Sequence, residues 1–434
     1  MIPTLIISVI TFILIALSII FLPKIKLGKF YIDTYWIISL LGALILLIAN
    51  LAPAGEVWSA LTSSAAINPI KILVLFFSMT LMSILLDEFG LFAYLAQVTI
   101  KKAKSSQHVL FLIIYMVTGF LTIFTSNDIV ILTFTPFICL FARKANVNPL
   151  PYLIGEFVAA NTYSLMFMTG NPTNIYLATS AEISFIEYFK IMIIPTLFAG
   201  IAELLVLFAL FHKTLKKPIE VKEEECHLEN KVDVIIGVIH LIVCLIFLII
   251  SNYITIEMRL ICLICATSLL IATLIMRIIT KKNWKFFGES FKRLPYPLII
   301  FFISMCIIVV ALNSQGISNK IAEFLNIGPT ITMYGFSSLI CSNFINNIPM
   351  SILYSSLVTS LNGLNYYQAV YATIIGSNIG AFLTPIGALA GIMFSSLLNK
   401  YEYKLSFLNF VKYGILIALP TISAALVGLF IVLH

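Results

Sequence analysis

Apolar runs long enough to cross a bilayer recur from one end of the chain to the other, with short polar linkers between them. A crossing helix needs roughly 20 apolar residues at about 1.5 Å each, and the pattern predicts about ten such helices plus two interrupted ones. Residues 1–22 are predicted as a peripheral first transmembrane helix. They are not read as a signal peptide, because Met1–Leu22 lacks both a basic start and a small-residue cleavage site.

Two apolar stretches have a different pattern. Residues 108–142 begin after Lys104 and end at Arg143, so both ends sit beside basic linkers and face one compartment. The middle reads Phe124-Thr125-Ser126-Asn127-Asp128, a polar break. A segment anchored on one side that breaks halfway is predicted to be a re-entrant helical hairpin with Ser126–Asp128 at its tip, which is tolerable only if protein or water covers the tip. Residues 328–361 have neutral flanks and break at Cys341-Ser342-Asn343-Phe344-Ile345-Asn346-Asn347-Ile348-Pro349, predicting a second hairpin that enters from the opposite face. Each hairpin precedes a helix interrupted by Gly and Pro: 150–182, broken at Thr169-Gly170-Asn171-Pro172-Thr173-Asn174, and 367–398, broken at Thr384-Pro385-Ile386-Gly387-Ala388. Asn161 precedes Gly170 by the same nine positions that separate Asn378 from Gly387. The expected fold class is therefore an all-α polytopic membrane protein with an inverted-topology repeat, two re-entrant hairpins and two discontinuous transmembrane helices, the mark of a secondary transporter. The expected division is 23–211 for the first repeat, 212–231 for a cytoplasmic linker and 232–434 for the second repeat.

Charge supplies the orientation. Most of the 26 Lys and Arg fall in alternate linkers: 23–30 with Lys24, Lys26 and Lys29; 101–107 with Lys101, Lys102 and Lys104; Arg143 and Lys144; 212–231; 277–293; and 399–406. These are expected on the cytoplasmic side, which makes the chain a multi-pass protein of the cytoplasmic (inner) membrane. The net charge of +7 thus orients the helices and implies no nucleic acid. With 61% apolar and only 10% charged residues, and a mean hydropathy of +1.07, a soluble enzyme is excluded.

Candidate chemistry gathers at the four breaks, where helix ends lose backbone partners that side chains, water or a solute must replace. The candidate solute-binding residues are Ser126, Asn127, Asp128, Gly170, Asn171, Thr173, Asn346, Asn347, Asn378, Thr384 and Gly387. Asp128 and Glu156 are candidates for proton coupling, since a carboxylate inside a membrane is costly and is kept for a reason. The second repeat offers Asn347 where the first has Asp128, so the halves differ chemically. No basic residue flanks the breaks, which favours a neutral or cationic solute. The histidines are scattered and the Cys262–Cys265 pair has no second pair beside it in sequence, so neither a metal nor a cofactor is expected.

The segment Ile84-Leu85-Leu86-Asp87-Glu88-Phe89-Gly90-Leu91-Phe92, the Asn127-Asp128 tip, Asn346-Asn347-Ile348-Pro349 and Thr384-Pro385-Ile386-Gly387 together resemble the arsenite/antimonite efflux permeases (the ArsB family) of the ion-transporter superfamily. The resemblance implies export of a small inorganic solute, trivalent arsenic or antimony hydroxide, driven by protons, with Asn127, Asp128, Asn346 and Asn347 as ligands. A homodimer is admitted, and so is a cytoplasmic ATPase subunit if the chain works as those permeases do. The alternatives within the superfamily are a sodium/proton antiporter and a sodium-coupled di- or tricarboxylate or other anion carrier. A non-transporting scaffold or membrane enzyme is the reading from another class.

Overall fold

A computed structural model describes residues 1–22, 24–27, 30–62, 69–95, 98, 106–216, 231–254, 256–280 and 285–434. Lys29, Lys101, Lys102 and Lys104, and residues 217–230 of the expected linker, lie outside the described residues.

The first half opens with α1 (Ile2–Phe21), a two-stranded antiparallel ribbon of β1 (Lys24–Leu27) and β2 (Phe30–Asp33), and α2 (Thr34–Ile48). Then come α3 (Ala54–Thr62) and α4 (Pro69–Glu88). The ribbon occupies the basic linker after α1, pairing Lys24 with Asp33 across its strands. Helix α5 (Gln107–Phe124) and α6 (Asn127–Lys144) form the first hairpin, and α7 (Leu150–Tyr163) and α8 (Pro172–Ser180) the first discontinuous helix, before the long α9 (Phe185–Leu215). The second half runs α10 (Lys231–Ile249), α11 (Met258–Ile279), α12 (Lys285–Lys292), α13 (Pro297–Ser314) and α14 (Ile317–Leu325). Its hairpin is α15 (Thr330–Ile345) with α16 (Asn347–Leu357), its discontinuous helix α17 (Gly363–Gly380) with α18 (Leu389–Lys400), and α19 (Phe407–Leu433) ends it. Among the described residues eight helical spans are long and apolar enough to cross a membrane.

The packing is reciprocal between the halves. Helix α1 packs on α2 as α10 packs on α11, and α2 packs on α13 as α11 packs on α4. Within each half the first hairpin arm lies along the discontinuous helix, α5 on α7 and α15 on α17. Across the halves the second arms exchange partners: α6 packs against α18 and α16 against α8, while α9 and α19 pair along their length. This exchange is what an inverted repeat with re-entrant hairpins requires, and it brings the two tips together. The close approach of α15 to α17 depends on small residues: a Cβ at Gly376 would stand 2.2 Å from the Gly335 carbonyl, and one at Gly380 2.9 Å from that of Leu339.

The breaks have local causes. After α5 the chain passes through Thr125 and an extended Ser126, leaving Asn127 to start α6. Between α15 and α16 a single residue, Asn346, turns the chain with φ +70° and ψ 154°, a conformation that costs a non-glycine residue about 1–3 kcal/mol. Its side chain offsets the strain by accepting from the Ile348 amide at 3.3 Å and donating to the Ile386 carbonyl at 3.0 Å.

Candidate functional site

Four helices, α6, α8, α16 and α18, begin around one narrow cavity. Asn127 and Asp128 line it from α6, Asn171 and Pro172 from the start of α8, Asn347 and Ile348 from α16, and Ala388, Leu389 and Ala390 from the start of α18. The starting end of each helix thus lines the cavity, and each N-terminus carries about half a positive charge. Two of the four are capped by side chains: Asn171 accepts from the Thr173 amide at 3.1 Å, and Asn346 serves α16. The other two are not, because Ser126 makes no cap hydrogen bond and Ala388 has no polar side chain to offer. The cavity measures about 10 Å³, on the threshold for a single water.

The structure brings together four of the residues expected from sequence: Asn127, Asp128, Asn171 and Asn347 line the cavity. Asn127 donates to Asn161 at 3.1 Å and accepts from the Asp128 amide at 3.0 Å, which fixes the tip against α7. The Asp128 carboxylate and the Asn347 carboxamide have no hydrogen-bond partner among the described residues. Ser126 is buried beside the tip with its hydroxyl unpartnered.

The remaining candidates do not line the cavity and are held by hydrogen bonds or tight contacts. Asn378 donates to Asn174 at 2.6 Å and to the Ile374 carbonyl at 2.9 Å, and accepts from Ser164 at 2.9 Å, so its hydrogen-bonding capacity ties α17 to the first break. Thr173 accepts from Ser377 at 3.1 Å in the same belt. Thr384 donates to Asn343 at 2.6 Å. Gly170 and Gly387 are tight contacts: added Cβ atoms would meet the Ser164 carbonyl at 2.4 Å and the Gly380 carbonyl at 2.6 Å. Glu156 is fully buried away from the cavity, where Thr135 donates to it at 3.1 Å.

Sequence reasoning missed the bare start of α18. Its only signal was the Thr384–Ala388 break, which marks where a helix stops but not where the next one points its amides. It also missed a clamp at the end of α4. Arg293 donates to Asp87 and to Glu88, both at 2.6 Å, and Thr133 of α6 donates to Asp87 at 2.9 Å. The cysteine pair gains a neighbour as well, since the Cys244 thiol lies 3.9 Å from that of Cys262. A larger cavity of about 320 Å³ between α10 and α11 is walled mostly by Ile239, Val243, Phe247, Ile261 and Ile264 and offers little to an ion.

The family model described as citrate transporter (CitMHS) matches residues 34–365. Among curated proteins, the arsenical pump membrane protein of Escherichia coli (strain K12) is 23% identical over 413 residues, covering 90% of this chain and 91% of that one. The 46 kDa membrane protein of Mycobacterium leprae is 25% identical over 389 residues, covering 83% and 85%. Among solved structures, the YdaH transporter of Alcanivorax borkumensis, reported as having an unusual topology, superposes with a TM-score of 0.58 at 14% identity, covering 99% of this chain and 98% of that one. The family match corrects the resemblance to arsenite/antimonite efflux permeases: the short tip motifs report the hairpin geometry that the fold imposes before they report a substrate, and identity to the arsenical pump protein stays at 23%. With its spans and bacterial relatives, the chain is a multi-pass inner-membrane transporter and not an enzyme.

Proposed function

Because the chain belongs to the citrate-transporter family, we propose that it is a cation-coupled secondary carrier of small carboxylate anions. The observation that carries this reading is the convergence of four helix N-termini on one cavity. The lack of basic side chains there argued for a neutral or cationic solute, but the positive ends of helices do the work of lysines without a side chain. Each such terminus is worth up to about 2 kcal/mol to an anion in a partly buried setting.

Asp128 then accounts for the coupling. A carboxylate held about 4 Å from a bound anion repels it by about 4 kcal/mol at an effective dielectric of 20, enough to cancel roughly two termini. Binding is therefore favourable only when Asp128 carries a proton or pairs with a metal cation, so anion and cation move together. Asn347, Asn171 and Ser126 supply neutral hydrogen bonds to the anion, and Glu156 serves as a second proton-binding group behind the tip. A cavity of about 10 Å³ cannot admit a carboxylate, so loading requires the hairpins and discontinuous helices to shift against α1–α4 and α10–α14. The reciprocal packing of α1 on α2 and of α10 on α11 supports extending the first repeat, expected at 23–211, back to include α1, with the linker at 212–231 and the second repeat at 232–434.

The test is uptake of radiolabelled citrate and succinate by proteoliposomes under separate proton and sodium gradients. Gradient-driven carboxylate flux is expected, with Asp128→Asn losing the dependence on the driving cation. Flux of neither carboxylate under either gradient would overturn the reading, as would an Asp128→Asn protein whose coupling is unchanged.

A further inference from the structure

Glu203 is fully buried within α9, and nothing in the cycle above uses it. Two hydroxyls meet its carboxyl group: Tyr115 of α5 stands 2.6 Å from Oε1, and Thr162 at the end of α7 stands 2.5 Å from Oε2. The Tyr115 hydroxyl also lies 2.8 Å from the Gly200 carbonyl oxygen. A phenol has one hydrogen to give, and a carbonyl oxygen can only accept. If Tyr115 donates to Gly200, the contact with Glu203 needs a hydrogen from the carboxyl group. A neutral Glu203 supplies it: Glu203 donates to Tyr115, Tyr115 to Gly200, and Thr162 to the other carboxyl oxygen. Each of these three hydrogens is used once, and the Tyr115 oxygen can still accept from the neighbouring Tyr163 hydroxyl. An ionised Glu203 would take the Tyr115 hydrogen from the Gly200 carbonyl, which keeps its own helical donor, but would leave a bare charge out of water, which is far costlier.

Among the described residues no cation compensates Glu203, although His108 of α5 stacks on Phe208, five residues further along α9. The titratable groups facing Glu203 are Tyr115 and, from α7, Tyr163, whose ring lies against Tyr115 and whose hydroxyl abuts Gly200. Glu156 on α7 is bound to Thr135. On α10, Asp233 is paired with Arg277 and His240 meets Ser268. On α19, the Tyr413 ring lies tilted against Phe211, two turns along α9. His212 and Lys213 sit in the last turn of α9. Among the described residues no Lys, Arg or His is hydrogen-bonded or ion-paired to Glu203. On the other side, Thr162 adjoins Asn161, which receives the hydrogen bond from the Asn127 tip.

We propose that Glu203 is a positioning residue that holds a proton in this conformation, clamping the end of α7 to α9 behind the hairpin tip, and that losing this proton from Oε1 to water loosens the clamp. The inference rests on the cation-coupled reading above for its place in the cycle, but not for the protonation itself. Glu203→Gln keeps a donor toward Tyr115 and an acceptor toward Thr162 yet has no proton to release, while Glu203→Asp keeps the proton on a shorter arm. The infrared spectrum of the reconstituted protein is expected to show a carboxylic-acid carbonyl band that Glu203→Gln lacks. In uptake against pH, a limb changing by about tenfold per pH unit is expected from Glu203 in the wild type, beside any limb from Asp128; the Glu203 limb should be displaced in Glu203→Asp and lost in Glu203→Gln. Superimposable infrared spectra would overturn the proposal, as would a Glu203→Gln profile identical to that of the wild type. If the wild type moves no carboxylate, the transport reading fails by itself, and the infrared comparison still decides whether Glu203 holds a proton.

Discussion

Replacing Gly387 with alanine perturbs the second break with one methyl group. Its carbonyl accepts from the Asn347 amide at 2.9 Å, and the neighbouring Ile386 carbonyl receives the Asn346 side chain, so this loop sets the position of the second hairpin tip. An added Cβ would stand 2.6 Å from the Gly380 carbonyl and 2.8 Å from the Asn343 side-chain oxygen, whereas ordinary contact begins at 3.4 Å. Backbone cannot swing aside as a long side chain can, so the loop must move by about 0.8 Å, the difference between contact and clash. Overpacking of this kind costs about 1–3 kcal/mol of stability, while a shift near 1 Å at a binding constellation costs about 10²-fold in rate. Function should therefore fail before the fold does. The assay is initial uptake in proteoliposomes beside a thermal melt in detergent, with Gly288→Ala as the control because a Cβ there meets nothing within 4 Å. Gly387→Ala is expected to lose about a hundredfold in rate while still melting cooperatively. Wild-type uptake in Gly387→Ala would refute the idea that the break holds Asn347 in register.

Asn378→Ala strands Asn174 and Ser164 in the buried belt between the two breaks. At about 1–3 kcal/mol for each unsatisfied group, it should lower the melting temperature more than Asn347→Ala, whose side chain has no hydrogen-bond partner among the described residues, whereas Asn347→Ala should weaken substrate affinity more; the two assays together check the ordering. Arg293→Gln leaves Asp87 and Glu88 facing each other beside Thr133. It should cost about 1–3 kcal/mol, between the values for surface and buried pairs, and Arg293→Lys should recover only part in the same melt, because a point charge cannot serve two carboxylates as a fork does. On the opposite face, burial alone would raise the Glu257 carboxyl, but Arg259 and Lys71 outweigh it and hold the group below its ordinary value. A lowered value stabilises above the unfolded-state titration and is lost as pH falls through the folded one, so Glu257→Gln should differ slightly from the wild type in melts at neutral pH and not at all below the carboxylate range.

The apolar periodicity and the placement of Lys and Arg were enough to read the membrane class, the two hairpins and the two broken helices from the chain alone, because backbone inside a bilayer must satisfy itself and a polar interruption such as Ser126–Asp128 has few places to go. The repeated spacing from Asn161 to Gly170 and from Asn378 to Gly387 located the breaks for the same reason. Residue type could not reveal which groups at a break remain free. Asn378 and Asn347 are the same side chain in similar contexts, yet one is saturated by Asn174, Ser164 and Ile374 while the other is left open to the cavity. Nor could it show the direction of helix ends in space. Ala388 and Leu389 carry no polar side chain, and only the exchange of partners between α6 and α18, and between α16 and α8, brings four helix starts to one cavity. Sequence order fixes where a helix begins; the sign of the field it lends to a neighbour depends on how the helices are packed.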